Sequence, residues 1–293
     1  VFPNAELVGL PIADGGDGTL ETIIDATNGE LINSNVKGPD NRIVEASWGL
    51  FNSEKNEKTA IIEMARASGL AMLDPNNLDP FNSTTFGTGE LIINAVKNGA
   101  KKIILGIGGS ATNDCGIGVA KAVGIKFLDS KKNEIDNNVA NFSKIREINL
   151  NNFNPELKNI KFEVACDVTN TLCGIEGASY IYGPQKGASI DDIKILDKNL
   201  LHIGNLIEKE LNLNVLNLKG GGAAGGLGAG MVAFFGATLR PGVDIIFDTL
   251  NGEEKIKDAD LSITGEGHVD LSSTSNKAPT AIAKLGKKYN IPA

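Results

Sequence analysis

Residues 101–118 read KKIILGIGGSATNDCGIG. Two lysines lead into Ile103-Ile104-Leu105, a short apolar run that predicts a buried strand. Gly106, Gly108 and Gly109 then turn the chain, and Ser110, Thr112, Asn113 and Asp114 crowd polar groups into the turn. The next stretch, GIGVAKAVG, has a helical pattern. Strand, glycine turn, polar cluster and helix together offer free backbone N–H groups to an anion. Glycine also lets a ligand approach the backbone closely. The same residues fit a plainer reading, a tight turn in which Asn or Asp caps the helix.

The arrangement recurs on both sides of this stretch. ELVGLPI (6–12) reads as a strand running into ADGGDGT (13–19) and a helix pattern. Residues 31–50 alternate around the turn signal Gly38-Pro39-Asp40-Asn41, which predicts a hairpin. Residues 59–73 start extended and turn helical. NSTTFGTG (82–89) is a second polar glycine loop before a helix that ends at Gly99. GIKFLDS (124–130) reads as another strand, 131–160 as a surface excursion with a few apolar anchors, and KFEVACDVTN (161–170) as a strand ending in Asp167. A long loop over 171–189 precedes a strongly periodic helix at 191–211. The densest glycine segment, GGGAAGGLGAG (220–230), leads into the helix MVAFFG. VDIIFD (243–248) fits either a strand or a short helix, LSIT (261–264) a strand, and 279–289 a closing helix. This order predicts an α/β protein with a largely parallel sheet. Ligands of such sheets bind beyond the carboxyl ends of the strands. The polar loops at Asp14/Asp17, 83–88, 110–114, 167–170 and 266–270 are therefore expected to converge.

Composition narrows the function. The chain has 293 residues, 28 basic and 36 acidic, for a net charge of −8. That balance argues against non-specific nucleic-acid binding and leaves room for a local anion pocket. Three cysteines without a CxxC pair, and two histidines, give no zinc signature and imply a reducing compartment. No apolar run is long enough for a membrane span, and no signal peptide is visible, so a cytoplasmic protein is expected.

Two motif readings compete. Gly106-x-Gly108-x-x-Ala111 fits the permissive dinucleotide fingerprint, with Asp129 at the end of the next predicted strand. Gly220-x-Gly222-x-x-Gly225 fits it again, with Asp244 downstream. Both matches are weak in a glycine-rich chain, and a carboxylate at Asp114 would repel a pyrophosphate. The alternative is phosphoryl transfer, which needs carboxylates for Mg²⁺, backbone amides for phosphates and a base or cation at the reacting group. Asp14, Asp17, Asp167, Glu266 and Asp270, each just past a predicted strand, could supply the acids, although each could equally cap a helix. Lys186, Lys277 and Arg66 are the cations in or beside these loops. A lysine at a helix N-terminus, as at Lys277, opposes the dipole. No Walker A motif and no protein-kinase HRD or DFG set is present. Cys166 reads as core, Cys115 and Cys173 as loop residues without a histidine partner, and His202 as structural.

Taken in order, the loops resemble the bacterial glycerate kinase family. The matching segments are ADGGDGT (13–19), TTFGTGELI (84–92), GIGGSATNDCGIG (106–118), ACDVTN (165–170), YGPQKGA (182–188), GGGAAGGLG (220–228) and ITGEG (263–267). The family phosphorylates D-glycerate with ATP and Mg²⁺. The resemblance implies a Rossmann-like outer domain built from 1–60 and 258–293, a larger α/β domain inserted at 61–257, and an active site in the cleft between them. It implies Asp14, Asp167 and Lys277 as catalytic positions. It places substrate or nucleotide on Gly106, Gly108, Gly109, Ser110, Asn113, Lys186, Gly222 and Gly225, and metal on Asp114 and Glu266. Family members begin with a strand and an Asp-Ser-Phe-Lys-like segment absent here, and continue beyond Ala293, so it also implies truncation at both termini. This sequence departs from the family pattern at Asp17, where Glu is usual, at His268, where Arg is usual, and at Asn276, where Gly is usual. The implied product is 2-phosphoglycerate, the implied partner a small molecule, and a homodimer is compatible with it. A nicotinamide-dependent oxidoreductase and a non-catalytic anion- or nucleotide-binding protein are the competing classes.

Overall fold

The structure is a computed structural model that describes residues 5–11, 16, 18–53, 56–265 and 278–293. Helix α1 (Thr19–Thr27) precedes β1 (Glu30–Lys37), β2 (Ile43–Asn52) and β3 (Lys58–Glu63). Helices α2 (Ala65–Ser68) and α3 (Phe86–Lys97) lead to β4 (Lys102–Gly106), α4 (Ile117–Ala122), β5 (Lys126–Leu128), β6 (Glu147–Asn149) and β7 (Lys161–Ala165). Then come α5 (Ala178–Tyr182), α6 (Ile190–Leu211), α7 (Ala223–Phe235) and β8 (Thr238–Arg240). The described chain closes with α8 (Gly242–Thr249), α9 (Gly252–Ile256) and α10 (Ala278–Tyr289).

One six-stranded sheet runs in the order β1-β2-β3-β4-β7-β8. β3, β4, β7 and β8 are parallel, while β1 and β2 extend the sheet as the expected antiparallel hairpin. Residue 60 lies inside β3, so this sheet runs across the division expected at 60/61. Period-2 alternation sorts the strand side chains into two layers. Ala60 and Ile62 of β3, and Ile103 and Leu105 of β4, join the larger core beneath α3, α4, α6 and α7. Ile61 and Ile104 face the opposite way, onto Leu20, Ile23, Ile245 and Ile246 of α1 and α8. Both sheet faces are therefore apolar and covered, as a parallel sheet requires.

Several local expectations are corrected. The apolar stretch at 5–11 forms no strand, and Leu7 is 91% exposed. β5 pairs with β6 in a separate two-stranded sheet. The excursion at 131–160 buries Ile135, Val139, Phe142 and Ile148 in the main core, so it is a packed lobe. The expected loop at 171–189 contains α5 and a 3₁₀ turn at Pro184–Lys186. Residues 261–264 form no strand, while 243–248 take the helical form of the two expected. No described helix is long and apolar enough to cross a membrane.

Candidate active site

The opening stretch folds as its grammar suggests, but its polar residues divide into two groups. β4 ends at Gly106, and the chain turns through Gly108 and Gly109, the latter at φ 69°. Leu70 N–H donates to Gly109 C=O (2.8 Å) and Ala111 N–H to Ser68 C=O (2.9 Å), which clamps the turn to the segment after β3. Gly108 and Gly109 stay exposed, and their N–H groups meet no acceptor among the described residues.

Asp114 behaves differently. It is 1% exposed. Its Oδ2 accepts from Thr85 N–H (2.9 Å), Thr85 Oγ1 (2.8 Å) and Gly118 N–H (3.2 Å), and its Oδ1 from Gly116 N–H (3.1 Å). Burial outweighs these four bonds and holds the carboxyl above its ordinary range. Asp114, expected to bind metal, therefore anchors the loop to the N-termini of α3 and α4 and does not line the cleft. Asn113, expected to touch ligand, is also fully buried and donates from Nδ2 to Ser179 Oγ at 3.1 Å.

The second glycine segment packs directly on the first. Ala224, Gly225 and Gly226 adopt left-handed backbone at the start of α7. Gly225 C=O accepts from Cys115 N–H at 3.0 Å. A Cβ on Gly225 would lie 2.0 Å from Thr112 C=O, and one on Gly222 would lie 2.2 Å from Thr171 C=O. These two glycines, expected to hold phosphate, instead let backbone meet backbone. Ala223 and Ala224 line the cleft in their place. Gly106 likewise stays in the sheet, paired with Glu63 and Ala165.

The cleft has a volume of about 480 Å³ and opens beyond the carboxyl ends of β4 and β7, the position expected for a parallel sheet. One wall is the turn at Gly108, Gly109 and Ser110, faced by Gly16. Cys166, Asp167 and Val168 form another wall past β7, and Tyr182, Gln185 and Lys186 close the side made by α5 and the turn after it. Asp167 Oδ1 accepts from Gly242 N–H (3.0 Å) at the start of α8, which fixes the carboxylate at the rim. Lys186 is 2% exposed and donates from Nζ to Ser110 Oγ (2.8 Å) and Thr112 C=O (2.6 Å). Burial pulls its ammonium down to about 7, against the opposing charge of Asp114. Lys186 and Asp167 are the cation and the carboxylate among the described lining residues.

Of the expected site residues, the fold thus brings together Gly108, Gly109, Ser110, Asp167 and Lys186. Asp14, Glu266 and Lys277 lie outside the described residues, as do Asp17, His268, Asp270 and Asn276. The sequence reading did not single out Tyr182, Gln185 or Glu63. Glu63, buried at the end of β3, accepts from Leu20 N–H (2.9 Å) and Arg66 Nε (2.6 Å), while Arg66 also holds Glu21 (2.6 Å). That chain docks the first turn of α1 onto the sheet, directly after the loop that carries Gly16. Cys115 lies in the loop as read, fully buried, whereas Cys166, read as core, lines the cleft. His202 is structural as read, its Nε2 lying 2.8 Å from Ile145 C=O.

The dinucleotide reading loses its geometry. Asp129 follows β5, which is not in the main sheet, and its carboxylate accepts from Lys131 and Asn133 in a local turn. Among the described residues, no three His, Cys, Asp or Glu side chains converge as a metal site.

Comparison with known proteins agrees with the geometry. The model of the glycerate kinase family matches residues 1–293. The chain is 47% identical to the glycerate 2-kinase of Escherichia coli K12 and covers 76% of that protein. It is 45% identical to the glycerate kinase of Halalkalibacterium halodurans, again over 76% of the relative. A crystal structure assigned to glycerate kinase 2 of Salmonella typhimurium LT2 superposes with a TM-score of 0.92 at 44% identity, covering 99% of this chain and 77% of that one. With a family model spanning every residue and relatives this similar across its whole length, the chain belongs to the glycerate kinase family.

Proposed function

We propose that this protein transfers the γ-phosphoryl group of ATP to a hydroxyl of D-glycerate. The observation that carries the reading is family membership over the full chain, joined to a polar cleft at the carboxyl ends of the parallel strands. The 2-hydroxyl is the proposed acceptor, after the 2-kinase relative. In the reaction the hydroxyl oxygen bonds to the γ-phosphorus and the bond to the β-bridging oxygen breaks. ADP leaves, and the hydroxyl proton passes to a base.

Asp167 is the proposed base or orienting group, because it is the carboxylate that the described cleft offers. The bond from Gly242 N–H to its Oδ1 holds the side chain at the rim of the cleft. The exposed N–H groups of Gly108 and Gly109 are proposed to meet phosphate oxygens. Catalysis of this kind rests on positioning and charge neutralisation. Mg²⁺ would arrive with ATP, as it does for many phosphoryl-transfer enzymes. The described residues do not form a cage for it, and Asp114 is spent on four donors, so no step here is routed through the metal. Free cysteines and the need for ATP favour a cytoplasmic enzyme.

A coupled ADP-release assay tests the proposal. ADP should form with D-glycerate and ATP together and with neither alone. Binding of D-glycerate or ATP without ADP release would mark a non-catalytic binder. Quenching of NADH fluorescence with no ADP formed would mark an oxidoreductase.

A further inference from the structure

The described cleft contains a buried cation with no carboxylate among its hydrogen-bond partners. Lys186 lies in the turn after α5, almost fully buried, with Ser110 Oγ and Thr112 C=O as its acceptors. Both are neutral. An ammonium has three N–H donors, so one finds no acceptor among the described residues. Asp114 is the charge that acts on it, and that carboxylate is itself spent on Thr85, Gly116 and Gly118. Buried charges are normally paired. A buried ammonium that faces a ligand cleft with neutral partners is short of an anion.

We infer that Lys186 recognises the carboxylate of the acceptor substrate, whose negative charge completes the lysine's third hydrogen bond. The inference rests on the glycerate kinase reading and assigns a residue to its specificity. A carboxylate is small and singly charged, which matches one deeply placed ammonium. A nucleotide's phosphates carry several charges and suit the exposed amides of Gly108 and Gly109. Ser110 serves both groups, since its hydroxyl accepts from Lys186 and keeps its own proton to donate onward. The Thr112 hydroxyl, buried and without a partner among the described residues, sits on the residue whose carbonyl holds Lys186. A neutral polyol of the same shape would leave the ammonium unpaired, which is the type of mismatch that polar sites reject most strongly.

The surroundings give this assignment a pH signature. Among the described residues, Asp114 on the loop after β4 is the charge that acts on Lys186, and the other titratable groups lining the cleft are Cys166 and Asp167 after β7 and Tyr182 on α5. Burial pushes Cys166 and Tyr182 up, away from neutrality, and pulls Lys186 down to about 7. Without substrate the lysine therefore loses its proton in the neutral range, and it must regain that proton to hold a carboxylate.

Steady-state kinetics with each substrate varied over pH 6–9 test the inference on the wild type, Lys186→Arg and Lys186→Met. For the wild type, kcat/KM for D-glycerate should fall by about tenfold per pH unit above about 7, with KM for ATP level. Lys186→Arg stays charged throughout and should lack that fall while retaining measurable activity. Lys186→Met should raise KM for D-glycerate by about 10- to 100-fold at low pH, the loss expected for a hydrogen bond between charged groups, and change KM for ATP by less than about threefold. A rise in KM for ATP instead would assign the lysine to the nucleotide, and an alkaline fall that persists in Lys186→Arg would overturn the inference. Should Lys186→Met fail to fold, the Lys186→Arg profile still decides. A wild type that releases no ADP defeats the kinase reading itself, which separates the two failures.

Discussion

Replacing Lys186 with Met should stabilise the protein in acid and lose that advantage as pH rises. The ammonium is 2% exposed with neutral oxygens as partners, and burial lowers its pKa from 10.5 to about 7. The folded state therefore holds this proton more weakly than the unfolded chain does. Below about 7 both states are charged, and folding carries the full penalty of burying the charge. At about 1.4 kcal/mol per pKa unit that penalty is roughly 5 kcal/mol. Between about 7 and 10.5 the unfolded chain keeps the proton and the folded state does not, so the penalty shrinks by about 1.4 kcal/mol per pH unit. Methionine has no such penalty and fills similar space, but it leaves Ser110 Oγ and Thr112 C=O without their donor, at roughly 1–3 kcal/mol in total.

The variant should accordingly be more stable than wild type by roughly 2–4 kcal/mol at pH 6 and about level with it at pH 9. Urea unfolding at pH 6, 7, 8 and 9 on both proteins measures this, and groups that titrate identically in the two cancel in the difference. The relative stability should move toward wild type by about 2–3 kcal/mol across that range. A flat difference, or one that moves toward the variant with rising pH, would refute the claim that Lys186 is a buried cation with a lowered pKa.

Three further outcomes follow from the same geometry. Asp114→Ala strands three backbone N–H groups and the Thr85 hydroxyl in a buried site, and should cost about 3–5 kcal/mol, seen as a drop of roughly 6–15 °C in Tm; a loss under about 1 kcal/mol would show that the carboxylate is no anchor. Gly225→Ala combines φ 66° with a Cβ 2.0 Å from Thr112 C=O and should cost more than about 3 kcal/mol, whereas Gly174→Ala, at φ 94° with nothing within 4 Å, should cost only about 1–2 kcal/mol; equal losses in paired melts would remove the loop-contact argument. Asp167→Asn keeps an oxygen for Gly242 N–H and so should fold normally, yet lower kcat about 10²- to 10⁴-fold with KM for ATP nearly unchanged; full turnover in the ADP assay would take Asp167 out of the reaction.

The part of the fold legible in the sequence was the part carried by local pattern. Ile103-Ile104-Leu105 followed by glycine announced β4, and the Gly38-Pro39-Asp40-Asn41 signal announced the β1–β2 hairpin, because periodicity and turn chemistry act over a few residues. Sheet membership was not legible. The stretch 126–128 reads as a strand like β4, but nothing in its residues says that it pairs with 147–149 outside the main sheet. The site was legible at the level of loops and illegible at the level of atoms. Asp114 in a glycine turn has the composition of a metal ligand and of a loop anchor alike, and the choice depends on Thr85, 29 residues away. Gly222 and Gly225 have the composition of a phosphate cradle, and only the approach of Thr171 and Thr112 shows them to be contacts between loops. Lys186 reads as a substrate- or nucleotide-binding cation, but its burial against Ser110, 76 residues away, is not legible in the sequence.

These placements share one cause, and it bears on how the cleft works. The polar residues of the 106–114 loop support each other in series. Asp114 ties the loop to the N-termini of α3 and α4, Asn113 ties it to Ser179 of α5, and Gly225 presses α7 against Thr112. The loop so fixed presents Ser110 Oγ and Thr112 C=O as acceptors, and these hold Lys186 in place. A long, flexible lysine is a poor choice for a structural bond here, since burying its charge on neutral partners opposes folding. Apolar side chains of similar volume would fill the site at lower free energy. The scaffold therefore stabilises, through Asp114, Asn113 and close glycine contacts, an ammonium that destabilises it. Such an arrangement is favourable only when an anion enters the cleft, so the cost in stability and the affinity for a carboxylate are two measurements of the same missing charge.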